Sequence, residues 1–321
     1  DALQGECVMR TMISGRGNPW FGRVSLAGVL AICAVAASAP VGEDASPVFR
    51  FDPPDGTRYV ESVDTRQVLD FGEGRTSARQ SELKTQVTIE RETTGYSVTS
   101  ILVSGGTTSA LEEADNAALK ALEGVPLTYH IDGEARIASV SGIREATEKV
   151  RAALPDNVAA IVAKALTEEA VLATARADWD RRVLNFAGRP AGVGDAWLAT
   201  EKFPLPSGEV VEFYSAMRVT KQEQVGGRDC VRVEYSYSRD PRTLRGALGD
   251  SADSLLSGKD PFADTSAVSG SGYRVVDPET LLCYSEELER EVKTTLPLPD
   301  GESLPVTIHQ TKTYRYQYRT D

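Results

Sequence analysis

The chain has 321 residues, of which 41% are hydrophobic and 26% are charged, and 47 acidic against 35 basic residues give a formal net charge of -12. This apolar fraction excludes a wholly disordered chain, and the acidic balance argues against a nucleic-acid-binding surface. His130 and His309 are the only histidines, so neither a His-rich metal site nor a catalytic histidine relay is expected.

The N-terminal residues have the pattern of an export signal. After a start at Met9 or Met12, a positively charged region precedes residues 24–39, an apolar run that ends in small residues. The run is shorter than the roughly 20 residues of a transmembrane helix. We therefore predict that residues 1–39 are a signal peptide with an upstream extension, cleaved after Ala36 or Ala39. The mature chain would have no transmembrane helix and would be secreted or periplasmic.

A lipid anchor is the alternative to simple cleavage. Residues 30–33 read LAIC and partly match the box in which bacterial lipoproteins are acylated on cysteine. Ile32 departs from the small residue that this box requires before the cysteine, and the apolar run continues beyond Cys33. Export with cleavage is the prediction that we carry forward.

Several stretches of the mature chain alternate between apolar and polar residues. In residues 83–89, Leu83, Val87 and Ile89 share one face with Thr85, and residues 211–219, 231–237 and 306–318 repeat the pattern. Clean alternation is typical of antiparallel strands with one face in water. Asp-Gly and Gly-Gly pairs between the stretches predict the turns.

Helical patterns separate two groups of strands. Ser109 and Glu112 have the spacing of a capping box, and Gly124 closes this first helix. After a hairpin at residues 127–140, helices are predicted at 143–154, at 158–166 with Asp156 as the cap, and at 168–187.

The order of strands, helices and strands predicts an α+β fold. We expect one large curved antiparallel sheet, a half-barrel, whose concave face is covered by the amphipathic helices. Residues 40–321 would form a single domain, although residues 188–194 could also link two domains. Residues 240–270, rich in Asp, Ser, Gly and Pro, are predicted to be a partly flexible insertion between two strands.

The sequence contains no catalytic or metal-binding motif that we can identify. A nucleophile elbow, a phosphate-binding loop and a zinc-protease signature are missing. Asp178 and Asp180 are spaced unfavourably for paired-carboxylate chemistry on a helix. The acidic group at residues 286–291 is interpreted as a solvated strand face, on which Glu287, Glu289 and Glu291 would lie with Cys283. We predict no catalytic residue, no metal and no cofactor.

Two cysteines, Cys230 and Cys283, remain in the mature chain. Both fall on the polar register of their strands, and an exported protein would allow them to form a disulfide. In a simple meander, however, another strand at residues 273–276 would separate them by about 10 Å. The disulfide is therefore left open.

Two short segments resemble a family of secreted bacterial proteins. Residues 186–197, FAGRPAGVGDAW, resemble a segment in which a helix ends and a VGDxW turn opens the C-terminal strands, and residues 276–282, VDPETLL, resemble a second turn. The layout of that family is similar to the lipoprotein-carrier superfamily of the LolA and LolB type, which includes LppX and LprG. The resemblance implies a half-open barrel with helices on its concave face and an apolar cavity for acyl chains. It assigns no functional residue.

The leading hypothesis is an exported, non-enzymatic protein that binds a lipid or another apolar ligand between sheet and helices. The candidate ligand-binding residues are large side chains predicted to face the helical layer, although the same residues could form an ordinary filled core: Trp179, Trp197, Phe213, Met217, Tyr235, Tyr237, Tyr314 and Tyr316. The alternative is a cell-envelope module that binds a protein partner through a sheet edge or residues 240–270. A hydrolase without a recognisable motif is the third hypothesis.

Overall fold

A computed structural model describes residues 47–108, 112–204, 210–262, 266–297 and 303–319. The predicted export segment and the predicted cap at Ser109 lie outside these ranges. Among the described residues, no helix combines the length and the apolar character needed to span a bilayer.

The described residues form one eleven-stranded sheet in which all neighbouring strands are antiparallel. The strands are β1 (Thr57–Asp70), β2 (Thr76–Glu92), β3 (Gly95–Thr108), β4 (Pro126–Ile131), β5 (Ile137–Ser141), β6 (Ala196–Pro204), β7 (Val210–Val225), β8 (Arg228–Ser238), β9 (Ala267–Val276), β10 (Cys283–Pro297) and β11 (Ser303–Tyr318). Their order is β5-β4-β3-β2-β1-β11-β10-β9-β8-β7-β6. The first and last strands of the chain therefore pair in the middle of the sheet.

The strand patterns follow the predicted alternation. In β2, Leu83, Thr85, Val87 and Ile89 are buried on the inner face, which the helices cover, while Glu82 and Lys84 are exposed. A polar outer face and an apolar inner face are what the period of two requires. The predicted α+β class, a curved open antiparallel sheet with helices on its inner face, is confirmed.

Four helices lie between β3 and β6 in the chain: α1 (Glu112–Leu122), α2 (Ile143–Ala153), α3 (Asp156–Ala165) and α4 (Glu168–Trp179). Helix α1 packs on β3, and α4 packs on β5. In α2, Ala146 and Val150 are buried, as their spacing predicts. The predicted Asp156 cap is wrong, because Asp156 is the first helical residue and Pro155 occupies the cap position without a side-chain hydrogen bond.

Helix α4 ends earlier than predicted and continues as a π-helical turn at Asp180–Leu184. Asn185 N–H donates to the carbonyl oxygen of Asp180, five residues back, at 2.9 Å. The wider turn adds a residue to the helical circumference and changes which side chains face the sheet. Both Arg181 and Arg182 are buried as a result.

The insertion between β8 and β9 forms short helical segments on the outer face of the sheet. They are a 3-10 turn (Pro241–Leu244), α5 (Arg245–Leu248), a second 3-10 turn (Gly249–Ser251) and α6 (Ala252–Leu256). Leu244, Leu248 and Ala252 form a small second core with Tyr214 and Ala216 of β7. Near the edge strand β6, both faces of the sheet are therefore covered.

The sequence leaves open whether Cys230 and Cys283 form a disulfide. In the structure Cys230 and Cys283 both remain thiols, and β9 separates their strands. Val231 and Cys283 both pair with Val276, so Cys283 faces inward with Val231 whereas its neighbour Cys230 faces outward. The pairing shifts between Cys283 and Ser285, and this bulge moves Cys283 off the polar register predicted for it.

Strand β9 approaches β10 closely at Gly272, which pairs with both Tyr235 and Leu288. A Cβ atom at Gly272 would lie 2.9 Å from the Cα atom of Leu288 and closer still to the carbonyl oxygen of Glu287. Glycine within a strand often marks such an approach of two backbones.

Replacing Gly272 by alanine is expected to lower the free energy of unfolding by about 1–3 kcal/mol, because the backbone must move to admit the methyl group. Urea unfolding of the variant measures this change. Gly246→Ala in α5 is the matched control, since a Cβ there meets no atom within 4 Å and alanine favours a helix. A Gly272→Ala protein as stable as the wild type would contradict the close approach.

Candidate functional site

All eight candidate ligand-binding residues are buried. Seven lie on the inner face of the sheet in β6, β7, β8 and β11, whereas Trp179 lies at the end of α4. All eight belong to one continuous apolar core, so among the described residues they pack as a filled interior. The Trp197 ring lies 5.6 Å from Phe49 and 5.4 Å from Phe186, and the Phe213 and Tyr237 rings lie 5.6 Å apart.

Trp179 contacts the hairpin formed by β4 and β5. Its indole N–H donates to the carbonyl oxygen of Ala135 at 2.8 Å, in the turn between β4 and β5. The strand β5 is one edge of the sheet, and Trp197 lies on β6 at the other edge. Trp179 therefore anchors α4 to the hairpin.

A cluster of buried charges joins the π-helical turn to the middle of the sheet. Arg182 Nη1 lies 2.9 Å from Glu61 Oε2 of β1 and donates to the Tyr316 hydroxyl of β11 at 3.1 Å. On the helical side, Arg182 Nε lies 2.9 Å from Asp178 Oδ2. The guanidinium carbon also lies 4.5 Å from the centre of the Tyr314 ring, so this arginine contacts two of the predicted ligand-binding residues.

The neighbouring arginine makes an equivalent link to β10. Arg181 pairs with Glu286, and its Nη2 atom lies 3.1 Å from Asp178 Oδ1. Arg274 of β9 completes this side, with its Nη2 atom 3.1 Å from Glu286 Oε2 and its Nη1 donating to the carbonyl oxygen of Arg182 at 2.5 Å. Three guanidinium groups thus meet three carboxylates in the protein interior.

The electrostatics of the cluster follow from this pairing. Burial acts to raise the pKa of Glu286, but the charges of Arg181 and Arg274 outweigh it and hold that pKa well below its usual range. The pKa of Asp178 is lowered as well, because Arg182 and Arg181 outweigh its burial. For Glu61, burial dominates and raises the pKa above the usual value, although Arg182 opposes it. The opposite shifts follow from the number of cations around each carboxylate.

Sequence reasoning missed this cluster, although a signal for part of it exists. Glu61 and Arg274 occupy inward positions on strands whose other inward residues are apolar, such as Tyr59 and Val63 in β1. A charged residue at an inward position requires a partner. The partner of Glu61 is Arg182, on a helical turn whose π geometry the periodicity of α4 does not reveal, and the partner of Arg274 is Glu286 on the neighbouring strand β10.

The acidic group of β10 is divided between the two faces. Glu287 and Glu289 are exposed on the outer face, as predicted, but Glu286 is fully buried on the inner face. The expectation that Cys283 shares the outer face is wrong because of the bulge at Cys283 and Ser285. Among the described residues, no group of three or more His, Cys, Asp and Glu side chains is placed to hold a metal ion.

The two histidines lie on strands near glutamates. His130 Nδ1 lies 3.2 Å from Glu92 Oε1, and His309 Nδ1 lies 3.5 Å from Glu291 Oε2. The side chains of His130 and His309 are 42% and 49% exposed. Each is thus a partly solvated strand residue.

A groove of about 480 Å³ lies on the outer face, between the insertion and strands β7–β11. Gly246 and Ala247 of α5 form one side, and polar side chains of the strands form the other. On its floor, the Arg232 guanidinium lies 3.5 Å from the centre of the Tyr273 ring. Of the predicted ligand-binding residues, Tyr235 contributes to the lining of this groove.

Comparison with known proteins assigns no family. No family model and no curated protein matches the chain. A structure of lipid–protein interactions in lipovitellin aligns with a TM-score of 0.43 and 10% identity, over 83% of this chain and 26% of that chain. A candidate exported protein with a YmcC-like fold from Bacteroides fragilis aligns with a TM-score of 0.25 and 9% identity, over 85% of this chain and 100% of that chain.

A candidate lipoprotein from Parabacteroides distasonis aligns with a TM-score of 0.23 and 11% identity, over 86% of this chain and all of that chain. At such low TM-scores, none of these likenesses carries an argument about function.

Replacing Glu286 by glutamine is expected to lower the free energy of unfolding at neutral pH by about 3–5 kcal/mol, because Arg181 and Arg274 lose a buried counter-charge. The pKa of Glu286 is lower in the folded protein than in the unfolded chain. Its ionisation therefore stabilises the fold above the unfolded pKa of about 4.3, and this contribution is lost as the pH falls below that value. The variant should lose less stability than the wild type on acidification.

Urea unfolding midpoints between about pH 3 and pH 7 measure both effects. Glu289→Gln, on the exposed outer face of the same strand, is the control and should behave as the wild type. Parallel pH profiles for Glu286→Gln and the wild type would contradict the assigned role of Glu286.

Proposed function

We propose that this chain is an exported, non-enzymatic protein that binds or carries a lipid or another apolar ligand between the inner face of its sheet and helices α1–α4. The pattern of residues 1–39 supports export. The lipoprotein-carrier architecture that residues 186–197 resemble supports the ligand class. The proposed location is the periplasm or the exterior of the cell.

The observation that carries the proposal is the composition of the contact between helices and sheet. Aromatic side chains such as Phe213, Tyr235 and Tyr237 supply apolar area on the inner face, while the connection at the π-helical turn is ionic, through Arg181 and Arg182. Water solvates charged groups when a contact opens, but it does not compensate for lost apolar burial. A layer held partly by ion pairs therefore separates at lower cost than a wholly apolar layer of equal area.

The open sheet supports the same function. Its edges are β5 and β6, and these two strands do not pair with each other. The helices can consequently move relative to the inner face without breaking the hydrogen bonds between strands. An acyl chain would then replace the helical contacts of the aromatic side chains and keep them out of water.

The second candidate function is a cell-envelope interaction module. The observation that favours it is the polar groove beside the insertion, which a partner could enter from the outer face. Crosslinking in intact envelopes separates the two functions, since a module of this kind would be recovered with a protein partner and a carrier with extractable lipid.

The full chain, isolated from envelope extracts of a bacterial host, should bind the uncharged apolar probe N-phenylnaphthylamine and release lipid on solvent extraction, as detected by mass spectrometry. Ala199→Phe should weaken probe binding by about tenfold or more, because Ala199 lies partly buried on the inner face of β6 and a larger side chain there occupies the proposed space.

Thr200→Phe is the matched control. Thr200 is the next residue along β6 and is exposed, on the opposite face, so probe binding should stay at the wild-type level. A wild-type chain that yields no lipid and does not bind the probe would refute the proposed function.

A further inference from the structure

A second set of buried polar side chains lies on the inner face, towards the β6 edge. Glu201 of β6, Ser215 of β7 and Arg290 of β10 belong to it. The register places Ala199, Ser215, Tyr237, Gly270 and Arg290 in one row across five strands. Glu201 pairs with Phe213 in the adjacent row.

Three aromatic rings lie around the guanidinium group of Arg290. The Arg290 guanidinium carbon lies 5.6 Å from the ring centre of Phe203, 5.7 Å from that of Phe213 and 5.4 Å from that of Tyr237. Such contacts hold a cation through the negative ring faces. They do not use the hydrogen-bond donors of the guanidinium in its plane.

The polar atoms of this set have unused hydrogen-bonding capacity. Glu201 is 5% exposed, Ser215 is 0% exposed and Arg290 is 8% exposed. Among the described residues, Glu201 Oε1, Ser215 Oγ and Arg290 Nε have no partner at a full hydrogen-bond distance and angle, although Ser215 lies close enough to Glu201 to act on the pKa of its carboxyl group. Leaving a buried polar atom without a partner costs about 1–3 kcal/mol, so a buried group of this kind calls for an explanation, such as a bound water, ion or ligand.

The carboxylates of the neighbouring charge cluster have ion-pair partners that Glu201 lacks among the described residues. There, Glu61, Asp178 and Glu286 each have a guanidinium nitrogen within 3.1 Å. Glu201 has no ion pair of that kind with any described residue, although Arg290 is the cation that acts on it most strongly. Burial raises the pKa of Glu201 above its usual value in spite of Arg290 and Arg181, as expected for a carboxyl group that lacks a close counter-charge.

We infer that Glu201, Ser215 and Arg290 form a polar subsite for the uncharged, hydroxyl-bearing head of an amphiphile, whose apolar chain contacts Phe203, Phe213 and Tyr237. This inference rests on the proposed function and specifies its ligand class. A hydroxyl group both donates and accepts, so it can donate to Glu201 and accept from Arg290.

The balance of charge selects against the charged alternatives. A fatty-acid carboxylate would be attracted by Arg290 but repelled by Glu201, and an alkylamine would experience the reverse. Because one anion and one cation lie at the subsite, a neutral head avoids both repulsions. An unpaired charge is also expensive to transfer into a buried site.

The test compares three ligands with the same eighteen-carbon chain: monooleoylglycerol, oleic acid and oleylamine. Each ligand is titrated at neutral pH against the full chain with bound N-phenylnaphthylamine, and the displacement of the probe is measured. We expect monooleoylglycerol to displace the probe at about tenfold lower concentration than either charged ligand. Ser215→Ala should weaken the binding of monooleoylglycerol by about fivefold, which is the effect of losing one hydrogen bond.

Glu201→Gln provides the decisive measurement, because it removes the anion and leaves Arg290. The selectivity should shift towards oleic acid, which a purely structural role of Glu201 would not produce. Glu212→Gln on β7 is the control, since Glu212 pairs with Lys202 at 3.1 Å away from the inner face, and its selectivity should equal that of the wild type.

The outcomes separate this inference from the proposed function. If the wild type binds the probe but the three ligands compete equally, or if Glu201→Gln leaves their order unchanged, the subsite is refuted and the apolar site stands. If the wild type neither binds the probe nor yields extractable lipid, the proposed function itself fails. Circular dichroism of each variant shows whether it is folded, and Ser215→Ala tests the subsite independently of any change in charge.

Discussion

The buried ion pairs beneath the π-helical turn are the interaction on which the rest of the structure depends. Arg181 and Arg182 bring α4 into contact with β1 through Glu61 and with β10 through Glu286. These strands flank β11, so the contacts lie at the centre of the sheet. The directional geometry of guanidinium–carboxylate contacts fixes the position of the helix as apolar packing alone would not.

The inner face divides into a paired region and an unpaired region. In the paired region, three cations and three carboxylates compensate one another, and removing any member would expose another to an apolar interior. Towards β6, the charge of Arg290 acts on Glu201, but Glu201 Oε1 and Arg290 Nε have no hydrogen-bond partner among the described residues, and aromatic rings surround the guanidinium. One region therefore positions the helices, and the other contains the polar atoms of the proposed subsite.

Much of the fold was predictable from local pattern. The period of two in β2 and the amphipathic face of α2 each report an environment that is repeated along the element, so the apolar positions identify the buried side. The hairpin at β4 and β5 and the placement of the helices between two groups of strands were predicted for the same reason. Trp197, Phe213 and Tyr237 were likewise predicted as inward residues, and they are buried.

What the sequence by itself determined is the class of the fold, its order of elements and its inward apolar residues, because these depend on periodicity within single elements. The tertiary structure alone decided three features: the bulge that turns Cys283 inward, the π-helical turn that buries Arg181 and Arg182, and the partners of Glu61, Glu286 and Glu201. A bulge changes the face of every residue beyond it, and a charge is paired across strands that are distant in sequence. Neither effect leaves a local periodic signal, so both emerge only when the sheet and the helices meet.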